Sequence, residues 1–385
     1  MGAAPRLVQV SHAPSVLPRH VYVHVPFCAR RCSYCDFAIA VRRLVPVREY
    51  VDALTAELAL RYGHPAGWEL DTLYFGGGTP SRLGAGLADA VDALLRHASL
   101  APGAEVTAEA NPEDVTRDAL RAWMAAGINR LSLGAQSFDD AALAWMHRVH
   151  PAEQIRSAVT AARDAGISNL SIDLIFALPA VLDRSWERDL DQALALEPPH
   201  VSLYGLTVEP QTPLGRWVER GSVTEAVEER YEAEFLRAHE RLTAAGYEHY
   251  EVWNYARPGY RSRHNSSYWQ GVSYTGLGPS AHEFDGTARR WNVAPYVDWV
   301  RRVCAGTDPL DGRELLTSAN RTAETVYLGL RTSDGLALCA DEHDMVAPWV
   351  AAGWAEVVAG RLQLTSSGWL RLDSLAASLT AHRSR

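Results

Sequence analysis

The sequence contains no lysine, and all 37 of its basic residues are arginines. Aspartate and glutamate number 46, and the resulting net charge of −9 argues against a general nucleic-acid-binding protein, because such proteins are usually basic. No stretch approaches the roughly 18 uninterrupted apolar residues of a membrane span, since Asp173 interrupts the best candidate, residues 170–182. The sequence therefore predicts no transmembrane segment and leaves peripheral membrane contact open.

Cysteine is also scarce, with five residues in 385, and three of the five lie within eight positions. This distribution does not match a secreted disulfide framework and instead predicts free thiols in a reducing, cytoplasmic compartment. Residues 1–18 contain one arginine and no continuous apolar core, so they do not predict a signal peptide. The remaining two cysteines, Cys304 and Cys339, lie in apolar helical patterns and are interpreted as small core residues.

Short apolar, β-branched runs alternate with longer helical patterns, which is typical of β/α units and a parallel sheet. The predicted strands are residues 21–25, 72–75, 105–110, 130–134, 170–176 and 201–207. The predicted helices between them are residues 47–62, 86–98, 117–125, 152–165 and 184–196. Six such units indicate an α/β fold, a partial (β/α)6 barrel that is open on one side. A doubly wound sheet is the alternative that periodicity alone does not exclude.

The chain exceeds the ~250–300 residues at which single hydrophobic cores usually stop growing, so more than one domain is predicted. Residues 1–245 are expected to form the barrel, 246–310 a connecting segment, and 311–385 a mostly helical C-terminal accessory domain. Within the connecting segment, residues 247–255 are predicted as one strand and residues 257–286 as irregular. A turn-bounded run at 355–365 predicts a β-wing.

The three clustered cysteines, Cys28, Cys32 and Cys35, have the spacing C-x3-C-x2-C. Iron–sulfur clusters are held by cysteine thiolates, and a four-iron cluster normally takes four. Three thiolates would leave one iron open to a small ligand with nitrogen and oxygen donors. A zinc site is the rival interpretation and needs a fourth ligand, which His24 or Asp36 could supply. Three unrelated buried cysteines are the structural alternative.

Polar or glycine residues follow each predicted strand, at the end where α/β barrels carry their chemistry. The second strand is followed by G-G-G-T-P at 76–80, where backbone N–H groups could bind a ligand unless the segment is a plain tight turn. Glu109 follows the third strand and could neutralise an ammonium group or cap a helix. Gln136 follows the fourth, with Arg148 twelve residues later. Asp173 lies inside the fifth strand, where burial demands either a function or a salt bridge.

Taken together, these segments resemble the radical S-adenosylmethionine (SAM) family that contains oxygen-independent coproporphyrinogen III oxidases and HemW-type haem chaperones. The resemblance implies that the three cysteines hold a [4Fe–4S] cluster whose open iron binds SAM, and that electron donation to SAM gives a 5′-deoxyadenosyl radical. It implies that Tyr22, Gly77 and Glu109 contact this SAM. The contacts of a second SAM in the oxidases are matched by Tyr34, Gly78, Thr79, Gln136, Arg148 and Asp173, and with little surrounding motif by Thr207.

Two departures from the oxidase pattern favour the chaperone branch. The oxidases have a further cysteine where this chain has Phe37, and residues 264–269 contain the H-N-x-x-Y-W sequence that the chaperones associate with haem. Imidazole is a good axial ligand for haem iron, so His264 is predicted to ligate the iron or anchor the macrocycle, with Tyr268 and Trp269 against the ring. The oxidases also have an N-terminal extension, and the roughly twenty residues before Tyr22 are expected to be too few for it.

The resemblance thus implies a haem chaperone that binds the cluster, SAM and haem and delivers haem to apo-haemoproteins. No catalytic residue is assigned. The alternative is a coproporphyrinogen III oxidase. A homodimer is left open.

Overall fold

The computed structural model describes residues 17–384, so the predictions about a signal peptide and an N-terminal extension lie almost wholly outside the described residues. In chain order, the strands of this range are β1 (His20–Val25), β2 (Phe27–Cys28), β3 (Ala40–Val41), β4 (Glu69–Gly77), β5 (Ser99–Ala110), β6 (Arg130–Gln136), β7 (Asn169–Phe176), β8 (His200–Gly205), β9 (Glu248–Glu251), β10 (Asn254–Ala256), β11 (Thr275–Leu277), β12 (His282–Phe284), β13 (Ala288–Asn292), β14 (Leu310–Leu315), β15 (Leu336–Ala337), β16 (Ala355–Val358) and β17 (Arg361–Leu364).

The helices of the same range are α1 (Val47–Tyr62), α2 (Gly86–Leu95), α3 (Arg117–Ala125), α4 (Asp140–Trp145), α5 (Ala152–Ala165), α6 (Trp186–Ala195), α7 (Pro213–Glu219), α8 (Glu228–Ala244), α9 (Arg263–Trp269), α10 (Tyr296–Cys304), α11 (Ser318–Arg331), α12 (His343–Ala351), α13 (Ser366–Trp369) and α14 (Leu372–Arg383). Short 3-10 helices lie at Pro80–Leu83, Pro112–Asp114 and Ala340–Glu342. Within residues 17–384, none of the helices combines the length and apolar character that crossing a bilayer requires.

Six strands, β1 and β4 to β8, lie side by side in chain order and run parallel. At one edge β11 pairs in parallel with β1, and at the other β10 and β9 continue the sheet in antiparallel fashion. Because the order of the six strands β1 and β4 to β8 follows the chain without reversing, this part of the sheet has no switch point of the doubly wound kind. The predicted partial (β/α)6 barrel, open on one side, is confirmed.

The two faces of these strands differ in polarity because successive side chains of a strand point to opposite faces. Val21, Val23 and Val25 of β1 are fully buried and belong to the main hydrophobic core, which also contains side chains of α1. The alternating positions of β1 carry Tyr22 and His24. The same alternation in β4 to β8 gives the barrel interior a polar lining, which is where chemistry can be placed.

The segment 247–255 differs from the single strand that its composition predicts. It forms two antiparallel strands, β9 and β10, with a register shift between Asn254 and Tyr255. The backbone N–H of Val252 donates to the carbonyl of Arg331 at the end of α11, 3.3 Å away, so a neighbouring helix interrupts the strand. Residues 257–286, predicted as irregular, contain α9, β11 and β12.

The C-terminal part combines α11, α12 and α14 with a small antiparallel sheet in the order β15-β17-β16. This arrangement confirms a mostly helical accessory region with a β-wing. The division at residues 245 and 310 remains a prediction, and the connecting segment supplies β9, β10 and β11 to the edges of the main sheet. Cys304 and Cys339 are exposed, so their interpretation as core residues is wrong.

Candidate functional site

A cavity of about 370 Å³ lies at the C-terminal ends of the parallel strands. It brings together most of the predicted site residues, namely Cys28, Cys32, Tyr34, Cys35, Gly77, Gly78, Thr79, Glu109, Gln136, Arg148, Asp173 and Thr207. Tyr22 and His264 are not part of its wall. The residues converge because the carboxyl ends of parallel strands meet at one edge of the sheet.

The three cysteines lie in and after β2, in a loop that is closed at its base by parallel pairing of β2 with β3. The loop is also tied to its surroundings at Ser33, whose N–H donates to the carbonyl of Met146 at 3.2 Å and whose carbonyl accepts from the N–H of Leu214 at 2.8 Å. All three thiols are free. The backbone therefore fixes this loop between α4 and α7 without using its thiols.

The surroundings of the thiols fit a bound cluster. Arg148 Nη1 lies 3.7 Å from Cys32 Sγ, so a charged donor already faces this sulfur. Thr79 Oγ1 lies 3.5 Å from Cys28 Sγ, and its hydroxyl donates to the carbonyl of Gly78 at 2.7 Å. A side chain at Gly78 would place its Cβ 3.1 Å from Cys28 Sγ and 2.7 Å from the Pro26 backbone, so only glycine leaves this approach clear. The three free thiols therefore share one cavity with donors and space around them.

A single zinc ion fits less well. Among residues 17–384, no three His, Cys, Asp or Glu side chains converge closely enough to hold one metal ion. His24, a candidate fourth ligand, uses both ring nitrogens elsewhere: Nδ1 lies 3.2 Å from the Tyr22 hydroxyl and Nε2 lies 3.0 Å from the Ala38 carbonyl. Because the carbonyl requires a donor, Nε2 carries the proton, and burial lowers the pKa of this imidazole to about 4. His24 therefore secures the end of the cysteine loop.

Burial raises the pKa of the Cys28 thiol, and burial also raises the pKa of Cys35 to about 11. Without a bound group both side chains are therefore protonated at neutral pH. Metal ligation requires thiolates, so loading this site must release protons.

Glu109 lies on the floor of the cavity and has no cationic partner within the described part of the chain. Its Oε1 accepts from the Tyr74 hydroxyl at 2.8 Å, and its Oε2 accepts from the N–H of Gly77 at 3.0 Å. Burial raises the pKa of Glu109 to about 7, an effect that these two donors oppose and that Asp173 reinforces. A buried carboxylate of this kind is suited to an ammonium group.

The G-G-G-T-P segment is more than a tight turn. Gly77 has a φ of 109°, and a Cβ there would lie 2.6 Å from the His24 ring. Its N–H is thereby free to approach the carboxylate of Glu109, as described above. The interpretation of Glu109 as a helix-capping acid is not supported, because its partners come from β4.

Asp173 is buried in β7 and is satisfied by serines rather than by an arginine. Ser132 Oγ lies 3.0 and 2.9 Å from its two carboxylate oxygens, and Ser171 Oγ donates to Oδ1 at 2.9 Å. Burial raises the pKa of Asp173, and these hydroxyls oppose the shift. Within residues 17–384, Asp173 forms no salt bridge, so the salt-bridge alternative is not supported.

Arg148 is held rigidly at the cavity wall. Its Nη2 donates to Asn111 Oδ1 at 2.5 Å and to the carbonyl of Gly134 at 2.8 Å. Arg30, from the cysteine loop, donates to the backbone carbonyls of His147 and Arg148 at 2.5 and 2.6 Å. The cysteine loop therefore fixes the backbone of Arg148, whose guanidinium in turn reaches Cys32.

Gln136, at the end of β6, has a φ of 65°. Left-handed backbone is uncommon outside glycine and stores strain, often at functional positions. A Cβ on neighbouring Gly134 would lie 2.8 Å from the Gln136 amide nitrogen. The chain thus has a glutamine in a backbone conformation that glycine would adopt without strain.

His264 lies apart from the cavity, in a helix rather than the expected loop. Its side chain is 1% exposed. Its Nδ1 lies 2.7 Å from Thr72 Oγ1, and its Nε2 lies 2.7 Å from the Tyr268 hydroxyl. Burial lowers the pKa of this imidazole to about 3. Both nitrogens are occupied, so His264 ties α9 to β4, and iron ligation through either nitrogen would require that nitrogen to leave its partner.

Several residues of the site are not among those that the sequence predicts. They are Tyr74, Asn111, Ser132, Ser171 and Tyr204, which hold or adjoin Glu109, Arg148 and Asp173. The signal that points to them is the period-2 placement of polar residues within apolar strands. That signal is visible in the sequence, but the partners of these residues depend on strand register.

The chain resembles known proteins over most of its length. The profile of the radical SAM superfamily matches residues 22–193. The chain is 38% identical over 331 residues to "Heme chaperone HemW" of Synechocystis, covering 83% of this chain and 80% of the relative. It is 37% identical over 369 residues to "Heme chaperone HemW" of Mycobacterium tuberculosis, covering 94% and 95%. Coproporphyrinogen III oxidase (HemN) from Escherichia coli, a radical SAM enzyme, has the same fold, with a TM-score of 0.81, 24% identity, and coverage of 97% of this chain and 92% of that one.

Proposed function

The chain belongs to the HemW family of radical SAM proteins, and from that premise we propose that it is a haem chaperone that passes haem to apo-haemoproteins. The observation that carries the proposal is the similarity to haem chaperones over nearly the whole chain, together with three free thiols in one cavity. The fold it shares with an oxidase does not assign an activity, because one fold hosts many functions.

We propose that Cys28, Cys32 and Cys35 hold a [4Fe–4S] cluster. When bound, this group would supply an electron and an open iron to which the amino and carboxylate groups of SAM attach. The protein's own part is electrostatic: Arg148 places a positive charge beside Cys32, and the carboxylate of Glu109 would accept from the N–H groups of the SAM amino group. The resident groups thus fix one end of SAM before any chemistry occurs.

The contacts proposed for SAM are spread over the strand ends. Gly77 and Glu109 adjoin each other, and Tyr22 lies beneath them: a Cβ on Gly76 would meet Tyr22 at 2.9 Å and Glu109 at 3.0 Å. A second SAM would use Tyr34, Gly78, Thr79, Gln136, Arg148 and Asp173, all of which share the same cavity. The proposal assigns these residues to binding and none to catalysis.

The haem contact is proposed at α9. Since both nitrogens of His264 are occupied, the anchoring role suits it better than iron ligation. Its ring stacks on Tyr74 with centroids 4.9 Å apart, and its Nε2 fixes the Tyr268 hydroxyl. His264 would therefore hold Tyr268 and the adjoining Trp269 in place against the macrocycle.

The test is anaerobic reconstitution of the full chain followed by haem titration. The protein should carry about four irons, and its reduced paramagnetic resonance signal should change on adding SAM. Haem loaded onto it should then transfer to an apo-haemoprotein acceptor. Stoichiometric zinc without iron, or haem that never transfers, would contradict the proposal.

A matched variant separates the two cofactors. Changing Cys28, Cys32 and Cys35 together to serine should abolish the cluster and leave haem affinity unchanged, because no α9 residue lines the cavity that holds the cysteines. Exposed Cys304→Ser is the control and should leave both cofactors in place. Light scattering of the same preparations would distinguish a monomer from a homodimer.

A further inference from the structure

Another, larger cavity lies behind α9, between that helix and the C-terminal elements α11 and β15. Its volume is about 810 Å³, within the range that takes drug-sized and cofactor-sized ligands. It shares no wall residue with the cysteine cavity. Its apolar wall includes Tyr268, Trp269, Val272, Phe284, Leu328 and Leu336.

The charged residues of this cavity are unbalanced, with four arginines and two acids. The acids are already used: Glu324 pairs with Arg289, and Asp334 lies 3.2 Å from Arg261. That leaves two arginines, Arg321 and Arg361, in excess.

Arg321 and Arg361 are held in place by backbone carbonyls. Arg321 Nη1 donates to the carbonyl of Gly286 at 3.0 Å. Arg361 Nε donates to the carbonyl of Asp334 at 2.7 Å, and its Nη2 donates to the carbonyl of Gly335 at 2.5 Å. Within residues 17–384 neither forms an ion pair with an acid. Two positioned guanidinium groups beside an apolar wall suit a ligand that is flat, apolar and dianionic, because guanidinium recognises carboxylates in a fixed geometry.

The wall of the larger cavity offers few side chains that could ligate iron. Among the described residues that form the wall there is no histidine, cysteine or methionine. Three tyrosines are present, but their hydroxyls already have side-chain partners: Tyr250 with His200, Tyr268 with His264, and Tyr274 with Arg289. The walls therefore recognise a ring and its carboxylates rather than a metal.

We propose that this cavity is the porphyrin site, with the macrocycle against Tyr268 and Trp269 and its two propionates on Arg321 and Arg361. The inference rests on the proposed haem-binding function and adds that recognition is through the carboxylates and is independent of iron. It also places the C-terminal region in the site, since α11 supplies Arg321 and β17 supplies Arg361.

The ligand series tests iron independence. The full chain with reconstituted cluster is titrated with haemin, with iron-free protoporphyrin IX and with protoporphyrin IX dimethyl ester, all in one detergent. Iron-free protoporphyrin should displace haemin with a similar Kd. The ester should bind at least about tenfold more weakly, because it cannot accept charge-assisted hydrogen bonds from two arginines.

The variant series tests the residues. Arg321→Gln combined with Arg361→Gln should weaken haemin binding by about tenfold or more. In this double variant, protoporphyrin IX and its dimethyl ester should bind with the same Kd. Thr325→Trp, at an exposed position of the cavity wall, should weaken both porphyrins by filling the cavity while leaving the arginines intact. The control is Arg301→Gln, whose side chain is 72% exposed and pairs with nearby Asp298. Circular dichroism and iron content should match wild type throughout.

The outcomes separate the two proposals. If haemin binds but iron-free protoporphyrin does not compete, an iron ligand is essential and this cavity is wrong while haem binding stands. Haemin affinity unchanged in both the double arginine variant and Thr325→Trp would also place haem elsewhere. If wild type binds no haemin at all, the proposed function fails, and this inference fails with it.

Discussion

Glu109 is the site residue whose charge changes near neutral pH, because burial raises its pKa to about 7. The other titratable groups that act on it or are acted on by it are Asp173 and four tyrosines, Tyr22, Tyr74, Tyr204 and Tyr268. Burial raises the pKa values of Tyr22, Tyr74 and Tyr268 well above the usual range, so these three stay neutral and cannot replace its charge. Binding of a ligand to Glu109 should therefore depend on pH.

The first prediction concerns SAM binding and pH. The carboxylate form of Glu109 predominates above its pKa, so affinity for SAM, whose amino group donates to this carboxylate, should be highest above about pH 7 and should fall below it. Calorimetric titration of reconstituted protein should show the Kd of SAM rising toward tenfold for each pH unit below about 7. Glu109→Gln should bind weakly with a flat profile. A wild-type profile as flat as that of the variant would exclude Glu109 as the partner of the SAM amino group.

The second prediction concerns Gln136 and its φ of 65°. Replacing it by glycine relieves left-handed strain, and after the entropic cost of glycine the free energy of unfolding should rise by about 0.5–1 kcal/mol. Gln136→Ala keeps the strain and is the control, so it should not be stabilised. Both variants lack the amide and should bind SAM more weakly. Denaturant titration measures the free energy of unfolding of both variants. Equal values for Gln136→Gly and Gln136→Ala would show that the strain is negligible.

At the scale of elements, α9 joins the H-N-x-x-Y-W segment to the barrel through buried polar contacts. Glu105 of β5 accepts from the backbone N–H groups of Arg263 and His264, each at 3.0 Å, and so satisfies the start of the helix. The side chain of the same His264 meets Thr72 of β4, with Nδ1 and Oγ1 2.7 Å apart. The helix is therefore fixed from two strands at once.

The third prediction compares His264→Ala with Tyr268→Phe, each of which removes one partner of the same 2.7 Å contact. If His264 acts by holding Tyr268, both variants should weaken haem binding to a similar extent and leave the Soret band unchanged. His264→Ala should also lower the free energy of unfolding by about 2–3 kcal/mol, because it leaves buried partners unsatisfied. Cluster iron should be unaffected in both. A Soret shift confined to His264→Ala would instead identify the imidazole as an iron ligand.

Much of the element order can be predicted from the sequence, for identifiable reasons. The predicted bounds of α1, α3 and α5 match the structure to the residue. A clear apolar periodicity marks α3 and α5, and a glycine directly follows α1 and α5. By contrast, α9 has only seven residues, all polar or aromatic, and Glu105 of a distant strand joins the local cap Ser262 in satisfying its first N–H groups. No local pattern contains that contact, so the sequence predicts an irregular segment there.

The candidate site likewise has one part that the sequence predicts and one part that it does not. Residues after successive strands can be grouped in advance because parallel strands end at one edge. The serines around Asp173 cannot, because the contact depends on register: Ser132 is paired with Ser171, and Asp173 with Ser202. A shift of one residue would turn these side chains to the other face.

At the scale of the whole molecule, the two cavities are separate but joined through the barrel interior. Glu109 accepts from Tyr74, Tyr74 stacks on His264, and His264 contacts Tyr268 in the wall of the larger cavity. This row of side chains links the proposed SAM partner to the proposed porphyrin wall without a shared wall residue. If both proposals hold, this row of side chains is a packed connection between the SAM site and the porphyrin site.

The fourth prediction concerns turnover by the complete protein. If the chain is a chaperone, anaerobic incubation of the cluster-loaded protein with SAM, reductant and coproporphyrinogen III should give no detectable decarboxylation. Phe37 is 57% exposed at the cavity wall, so Phe37→Cys would add a thiol at the rim and should not create activity. Chromatography of the oxidised porphyrins provides the measurement, with haem binding by the same sample as the control for folding. Robust protoporphyrinogen formation by wild type would restore the oxidase alternative, because the shared fold is compatible with either function.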